Sequence, residues 1–268
     1  MTSNRRPEAE GGRTQVRRGG PWVARFVSVT VVAVAWEFFG RLAPLFASYP
    51  SAITQAFVQL TFVEHSLIPA LITTLQGFAV GYVVAAVLGV VIGFAMGRVR
   101  LIEIVMDPYI SALYATPRIA MIPLLVLWVG VGFKLRVTIV VLSAIFPIIV
   151  NTFIGARKVG DDYLDTGRAF AATEWQLLRT IVFPAALPYV FAGFRIGIAR
   201  ALVGITVAEM TAAITGTGAL LIAFGRLFAT DRVFVPVIVI GLLSIALTEI
   251  VSLAQRRVMP WTRVRREA

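Results

Sequence analysis

The sequence predicts an all-α protein, a polytopic membrane bundle of six transmembrane helices. Three observations predict it. First, the 268 residues are 58% hydrophobic and only 15% charged, against about 45–50% and about 25% in soluble domains. Second, the apolar residues gather in six runs, each near or above the roughly 20 residues that cross a bilayer. Third, Lys and Arg crowd the connectors of one side. A soluble core of this length cannot hide so much apolar surface, whereas lipid is itself an apolar solvent.

Residues 1–21 are rich in Arg, Gly and Glu and show no apolar period, so they read as a disordered cytoplasmic tail. Residues 22–261 form the transmembrane domain, and 262–268 a second short tail. Arg17, Arg18 and Arg25 precede the first apolar run, the arrangement of a signal peptide. The run from Phe26 to Phe46 exceeds the ~7–15 residues of a secretory core, which favours a retained first span.

The six spans are expected near 24–46, 67–97, 104–131, 137–155, 186–213 and 234–255. The second is long enough to tilt. The third carries Pro108, Pro117 and Pro123, each removing a donor and crowding the preceding turn, so it is expected to break or kink. Breaks at membrane depth survive where protein or a water-filled cavity covers the freed carbonyls, which predicts a third span inside the bundle. With both termini in the cytoplasm, the inner side holds the tail arginines, Arg98, Arg100, Arg157, Lys158, Arg168, Arg179, Arg256 and Arg257. The outer side holds Arg41, Lys134, Arg136, Arg226 and Arg232. That bias fits an even number of spans with both ends inside. Trp261 suits an interfacial anchor.

The largest inner connector, about 156–184, is polar yet carries Tyr163, Leu164, Phe170, Trp175, Leu177, Leu178 and Ile181 at helical spacings. Thr173 followed by Gln176 has capping-box spacing. Two short helices are expected, about 161–170 and 174–182; an interfacial hairpin without a partner is the other reading.

Several chemistries are excluded. The chain has no Cys, so disulfides, iron–sulfur clusters and thiol catalysis are out. His65 has no metal-ligating neighbour and reads as a loop histidine, so no metal is expected. A net charge of +11 would suggest nucleic acid in a soluble chain; here it reads as topology, and no nucleic-acid partner is expected. No catalytic residues are expected, since the spans hold neither an HExxH run nor a Ser or Asp constellation. A carrier or channel working without ATP would be expected to show internal repeats or a coupling-ion site, and the sequence shows neither.

The connector resembles the cytoplasmic loop of binding-protein-dependent ABC importer permeases. The family pattern is Glu-Ala-Ala, three residues, Gly, nine residues, Ile, one residue, Leu-Pro, and its spacing is kept here without a gap. Asp165 takes the Glu place, Thr166 and Gly167 the Ala places, Ala171 the Gly place and Phe183 the Leu place; Ile181 and Pro184 are identical. PAALPYVFAGFRIGIARALVGITVAEM at 184–210 resembles the fifth helix of the sulfonate, taurine and nitrate branch. TPRIAMIPLLVLWVGVGFK at 116–134 resembles its proline-broken third helix, and GTGALL at 216–221 and MPW at 259–261 also fit. The resemblance covers about 30–261.

It implies a type I importer permease in a bacterial cytoplasmic membrane. Implied partners are a second copy of this same permease, forming a homodimer, a cytoplasmic ABC ATPase dimer and an extracytoplasmic solute-binding protein. ATP and Mg would sit on the ATPase, in keeping with the lack of a G-x-x-x-x-G-K-[ST] loop here. Asp165, Thr166, Gly167, Arg168, Ala171, Ile181 and Pro184 would couple to that ATPase. For Asp165 and Arg168 simple solvation is the competing reading, and for Pro184 an ordinary helix start. Sulfonate, taurine or nitrate would be the cargo, with thiamine-pyrimidine precursors or related heterocycles as the second reading.

Ionisable residues in spans usually face the bundle interior. Arg118, Asn151, Arg195, Thr206 and Glu209 are the candidates for a translocation path, with Glu37, Arg200 and Thr152 also weighed. Arg195 and Glu209 lie nearly on one helical face, about 21 Å apart along the axis, and could mark its two ends. Snorkelling or an interhelical hydrogen bond is the alternative for each.

Overall fold

The computed structural model describes residues 21–43, 47–212 and 215–262; the two tails fall almost wholly outside them. The elements in chain order are α1 (Pro21–Leu42), α2 (Pro50–Val58), α3 (Leu67–Arg98), α4 (Arg100–Ala115), α5 (Ile122–Val129) and α6 (Phe133–Arg157). They continue as α7 (Asp161–Ala169), α8 (Glu174–Leu177), α9 (Phe183–Ala212), α10 (Thr217–Arg226) and α11 (Thr230–Val258). Five helices are long and apolar enough to cross a membrane, and a sixth span follows if the bent pair α4–α5 counts as one. The expected six runs are therefore present.

α6 is the central helix, and glycine explains why. Gly77, Gly81, Gly89, Gly93 and Gly97 recur at multiples of four along α3, with Ala85 filling the remaining step. A Cβ added at Gly81 would lie 2.8 Å from Val140 Cβ, at Gly89 2.7 Å from Ile148, at Gly93 2.6 Å from Thr152 and at Gly97 2.6 Å from Ala156. On the other flank Gly193, Gly197 and Gly204 of α9 meet Asn151, Ile148 and Ser143 of α6. In lipid there is little hydrophobic drive between helices, so close van der Waals packing of small residues does the joining. The main core, with Phe78, Val140, Ala144, Ile148, Ala201 and Ile205, lies between these three helices.

A buried polar cluster ties one end of this trio. The Glu209 carboxylate of α9 accepts from Arg136 Nε of α6 at 3.1 Å, from Thr74 Oγ1 of α3 at 2.9 Å and from the Gly218 amide of α10 at 3.0 Å. The Thr217 amide donates to Thr74 Oγ1 at 3.0 Å, and Arg136 Nη2 to the Thr215 carbonyl at 3.1 Å. Gly216 has φ +105°, and a Cβ there would collide with the Glu209 carboxylate. The Gly-Thr-Gly turn thus wraps a carboxylate that is 1% exposed.

Three expectations need correction. The third span enters the chain's own bundle only in its second half: Ile110 is the sole buried residue of α4, whereas Ile122 and Leu125 of α5 join the main core and Leu127 and Trp128 turn outward. One freed carbonyl is served locally, by Arg118 Nη2 donating to Tyr114 O at 3.1 Å, while Thr116 Oγ1 adds a second donor at 2.8 Å to Ala112 O, which the Thr116 backbone amide already serves. Pro108 is accommodated within α4; the 86° bend falls at Pro117, and Pro123 sits in the first turn of α5 where a missing donor is harmless. Second, the short helix after Thr173 does not stop at 182. It passes through a π turn, Leu178–Val182, straight into α9, and that turn stands just ahead of Pro184. Third, the stretch between the first two spans, to which no element was assigned, contains α2. Glu37 of α1 accepts from the Ser51 amide at 3.1 Å and Ser51 Oγ at 2.7 Å, so it serves an orphan donor in the first turn of α2.

Two outcomes are expected. Gly93→Val forces α3 off α6 and destabilises the fold by about 1–3 kcal/mol, measured as detergent-solubilised unfolding. Glu209→Leu leaves Arg136 buried without its carboxylate and costs about 3–5 kcal/mol. Arg136→Leu combined with it costs less than the sum of the two single changes, which a double-mutant cycle reads directly.

Candidate functional site

The first candidate site is the α7–α8 segment at the end of the bundle opposite Glu209. α7 turns Leu164 inward, 5% exposed, against Ala156 of α6 and Val182 of the π turn, with Phe94 and Ile181 beside them. Phe94 stacks on Phe183, centroids 5.5 Å apart. Gly167 also faces inward: a Cβ there would collide with Leu177 Cδ2 and lie 3.2 Å from Ile181 Cδ1. Its small size lets Leu177 of α8 pack directly against α7.

The opposite face is open. Tyr163, Asp165, Thr166, Arg168, Phe170 and Trp175 are all exposed. Arg168 bridges Asp165 at 3.2 Å and Glu174 at 3.3 Å. Glu174, then Asp165, holds its guanidinium pKa above the ordinary arginine value. Such solvent-facing pairs contribute little stability, about 0–1 kcal/mol. The capping box expected at Thr173 and Gln176 is present, with the Gln176 amide donating to Thr173 Oγ1 at 3.3 Å and the Thr173 amide to Gln176 Oε1 at 2.7 Å.

α7 ends in a Schellman motif. The Ala172 amide donates to the Gly167 carbonyl at 3.1 Å and the Ala171 amide to the Arg168 carbonyl at 2.8 Å. That motif needs a left-handed residue, normally Gly, and Ala171 adopts it with φ +56°. The departure from Gly at this place is therefore tolerated in an unfavourable conformation. Pro184 is half-buried in the first turn of α9.

The second candidate is a cleft of about 540 Å³ at the α4–α5 bend, closed behind by α6 and α9. Arg118, Arg200, Thr116 and Ser143 supply its polar groups, and Ile122 and Val203 its apolar wall. The Arg118 guanidinium rests over Tyr114 and Phe146, 5.4 and 5.6 Å from the ring centroids.

The five path candidates do not converge. Of them, only Arg118 lines this cleft; Thr206 lines a neighbouring apolar one of about 380 Å³ and donates to Leu202 O at 2.8 Å. Asn151 packs on Gly193 and donates to Pro147 O at 2.8 Å, and Thr152 is buried on Gly93. Arg195 donates to Gln255 of α11, whereas Glu209 engages α3, α6 and α10, so the two serve different neighbours. Sequence reasoning missed Thr74, Arg136 and Thr217, having counted Arg136 only as a topological charge. The available signal was charge: a carboxylate inside a span requires a cation, and Arg136 begins the span that packs on it.

The family model described as "Binding-protein-dependent transport system inner membrane component" matches residues 85–264. SsuC of Bacillus subtilis (strain 168), a proposed aliphatic sulfonates transport permease protein, is 28% identical over 90% of this chain and 88% of its own length. TauC of Escherichia coli (strain K12), a taurine transport system permease protein, is 26% identical over 87% and 88%. ThiX of Halalkalibacterium halodurans, a formylaminopyrimidine transport permease protein, is 28% identical over 86% and 92%. The crystal structure of an amino acid ABC transporter superposes with a TM-score of 0.54 at 16% identity, over 76% of this chain and 94% of that one, a likeness of fold. With a family model matching well over half its length, this chain belongs to the binding-protein-dependent transport system inner membrane components, as the transmembrane permease of an ABC importer.

Proposed function

We propose that α7–α8 is the surface through which an ATPase drives this permease. One observation carries the reading: the segment is packed onto the bundle behind and presents aromatic side chains among charged ones in front. Leu164, Leu177 and Gly167 lock it to the bundle, while Tyr163, Phe170 and Trp175 stand in solvent, 69%, 84% and 68% exposed. A short helix offering a few aromatic anchors suits a groove on a partner. Because α8 runs through the π turn into α9, displacement of the segment moves a whole span as one body.

In this reading two cytoplasmic ABC ATPases, holding ATP and Mg, dock on the segments of two permease copies, and an extracytoplasmic solute-binding protein delivers cargo to the other face. The permease pair is a homodimer, both termini lie in the cytoplasm, and the membrane is the bacterial cytoplasmic one. Chemistry resides on the ATPase, and this chain supplies no catalytic residue or cofactor. Asp165, Thr166 and Arg168 meet the ATPase directly, whereas Gly167, Ala171, Ile181 and Pro184 shape the segment that does. The cargo is a small polar or anionic solute of the sulfonate, taurine or nitrate kind, in keeping with likeness to SsuC and TauC. Likeness to ThiX keeps a pyrimidine-type heterocycle as the second reading.

Deleting 163–170, or Gly167→Glu, is expected to abolish co-purification with the ATPase and cargo-stimulated ATP hydrolysis while membrane insertion persists. Normal stimulated hydrolysis after either change would refute the coupling role. Ala171→Gly relieves a left-handed alanine, a relief worth about 1 kcal/mol, and is expected to raise the unfolding temperature with transport retained.

A further inference from the structure

Charge compensation separates the arginines of the bundle into two kinds. Arg136 is buried, 8% exposed, and faces the Glu209 carboxylate. Arg118 and Arg200 share one cleft and neither pairs with a carboxylate among the described residues. Arg118 Nε is buried and has no hydrogen-bond partner. Its Nη2 is engaged by a carbonyl, and its faces lie against two aromatic rings, which fix the guanidinium without neutralising it. No acidic residue lines the cleft. Uncompensated cations at membrane depth are costly and mark ion or substrate pathways.

We propose that this cleft is a transit site for an organic oxyanion, with Arg118 and Arg200 holding its charged head. The inference rests on the transport reading above and names the cargo chemistry of that path. A planar guanidinium presents paired donors to a multi-oxygen headgroup. The Ser143 side chain adds a hydroxyl within the same lining, whereas the Thr116 hydroxyl is already donated to Ala112 O. Ile122 and Val203 offer an apolar wall, which an inorganic ion has no use for and an alkyl chain does. The cleft's volume of about 540 Å³ leaves room for such a chain. Val203 and Ala199 also line the neighbouring apolar cleft, so the two adjoin along α9. The chemistry favoured is therefore a short alkyl sulfonate over nitrate or a neutral heterocycle.

The test uses the permease–ATPase complex in phosphatidylcholine nanodiscs, without the binding protein, and saturation-transfer NMR with ethanesulfonate as probe. Saturable transfer is expected for the sulfonate and none for the uncharged ethyl methyl sulfone. Arg118→Gln and Arg200→Gln are each expected to weaken binding about tenfold or more, Arg200→Lys less, and Arg256→Gln not at all. The Arg200 side chain is exposed, so its variants keep the test open if Arg118→Gln misfolds. No transfer in the native complex, equal transfer from the neutral sulfone, or full binding in both Gln variants would overturn the inference. Failure of the transport reading itself is read separately, as absence of the ATPase from the purified complex.

Discussion

The structure depends on how closely three helices approach. α6 has no room for side chains on the facing sides of α3 and α9, and the glycines at 77, 81, 89, 93 and 97, with 193, 197 and 204, provide the space. In water such a stripe would weaken a helix. In lipid the balance differs: burial against apolar neighbours gains little over burial in acyl chains, so the shortest interhelical distance carries the stability. What remains is orientation along the seam. Glu209 supplies it at one end, because a carboxylate served by α3, α6 and α10 fixes the axial register of all three against α9.

That rigid trio gives the proposed drive its mechanical sense. α8 and α9 form one helical body from Glu174 to Ala212, with the exposed aromatic segment packed near its start and Glu209 near its end. Arg200 and Thr206 lie between, each on a cleft. A push at the first end cannot be absorbed in the middle, since packed interfaces shift between discrete arrangements and do not deform smoothly. The prolines need not be hinges: the π turn ahead of Pro184 absorbs the distortion locally.

Much of this was legible in the sequence, and the remainder was hidden for physical reasons. Long apolar runs, the capping box at Thr173 and the break near Pro117 follow from local rules and were found. The short helices α2 and α10 were not, because each lies close to spans and lacks a distinctive period of its own. Arg136 was misread because the positive-inside rule treats each cation as a lone charge, and its partner lies 73 residues away. The first half of the third span was placed too deep because prolines were taken to need cover from other helices, whereas Arg118 serves the Tyr114 carbonyl from within the bend. Ala171 was legible as a departure from Gly, and only its φ explains what Gly would have supplied.

The same reasoning distinguishes polar groups that hold the bundle from those available to a solute. Glu209, Arg136, Thr74 and Thr217 are engaged with one another, and a buried network in low dielectric resists exchange with a passing ligand. Arg195 is occupied by Gln255, and Asn151 and Thr206 by carbonyls of their own helices. Arg118 differs in kind: its position is fixed by rings and a carbonyl, yet its charge faces no counterion. Fixing a donor while leaving it uncompensated is the arrangement that binds an anion without reorganisation. A path built this way needs few specific contacts, because the charge attracts, the apolar wall tolerates different chains, and weak binding lets the solute leave. That is consistent with likeness to relatives whose names describe aliphatic sulfonate and taurine transport.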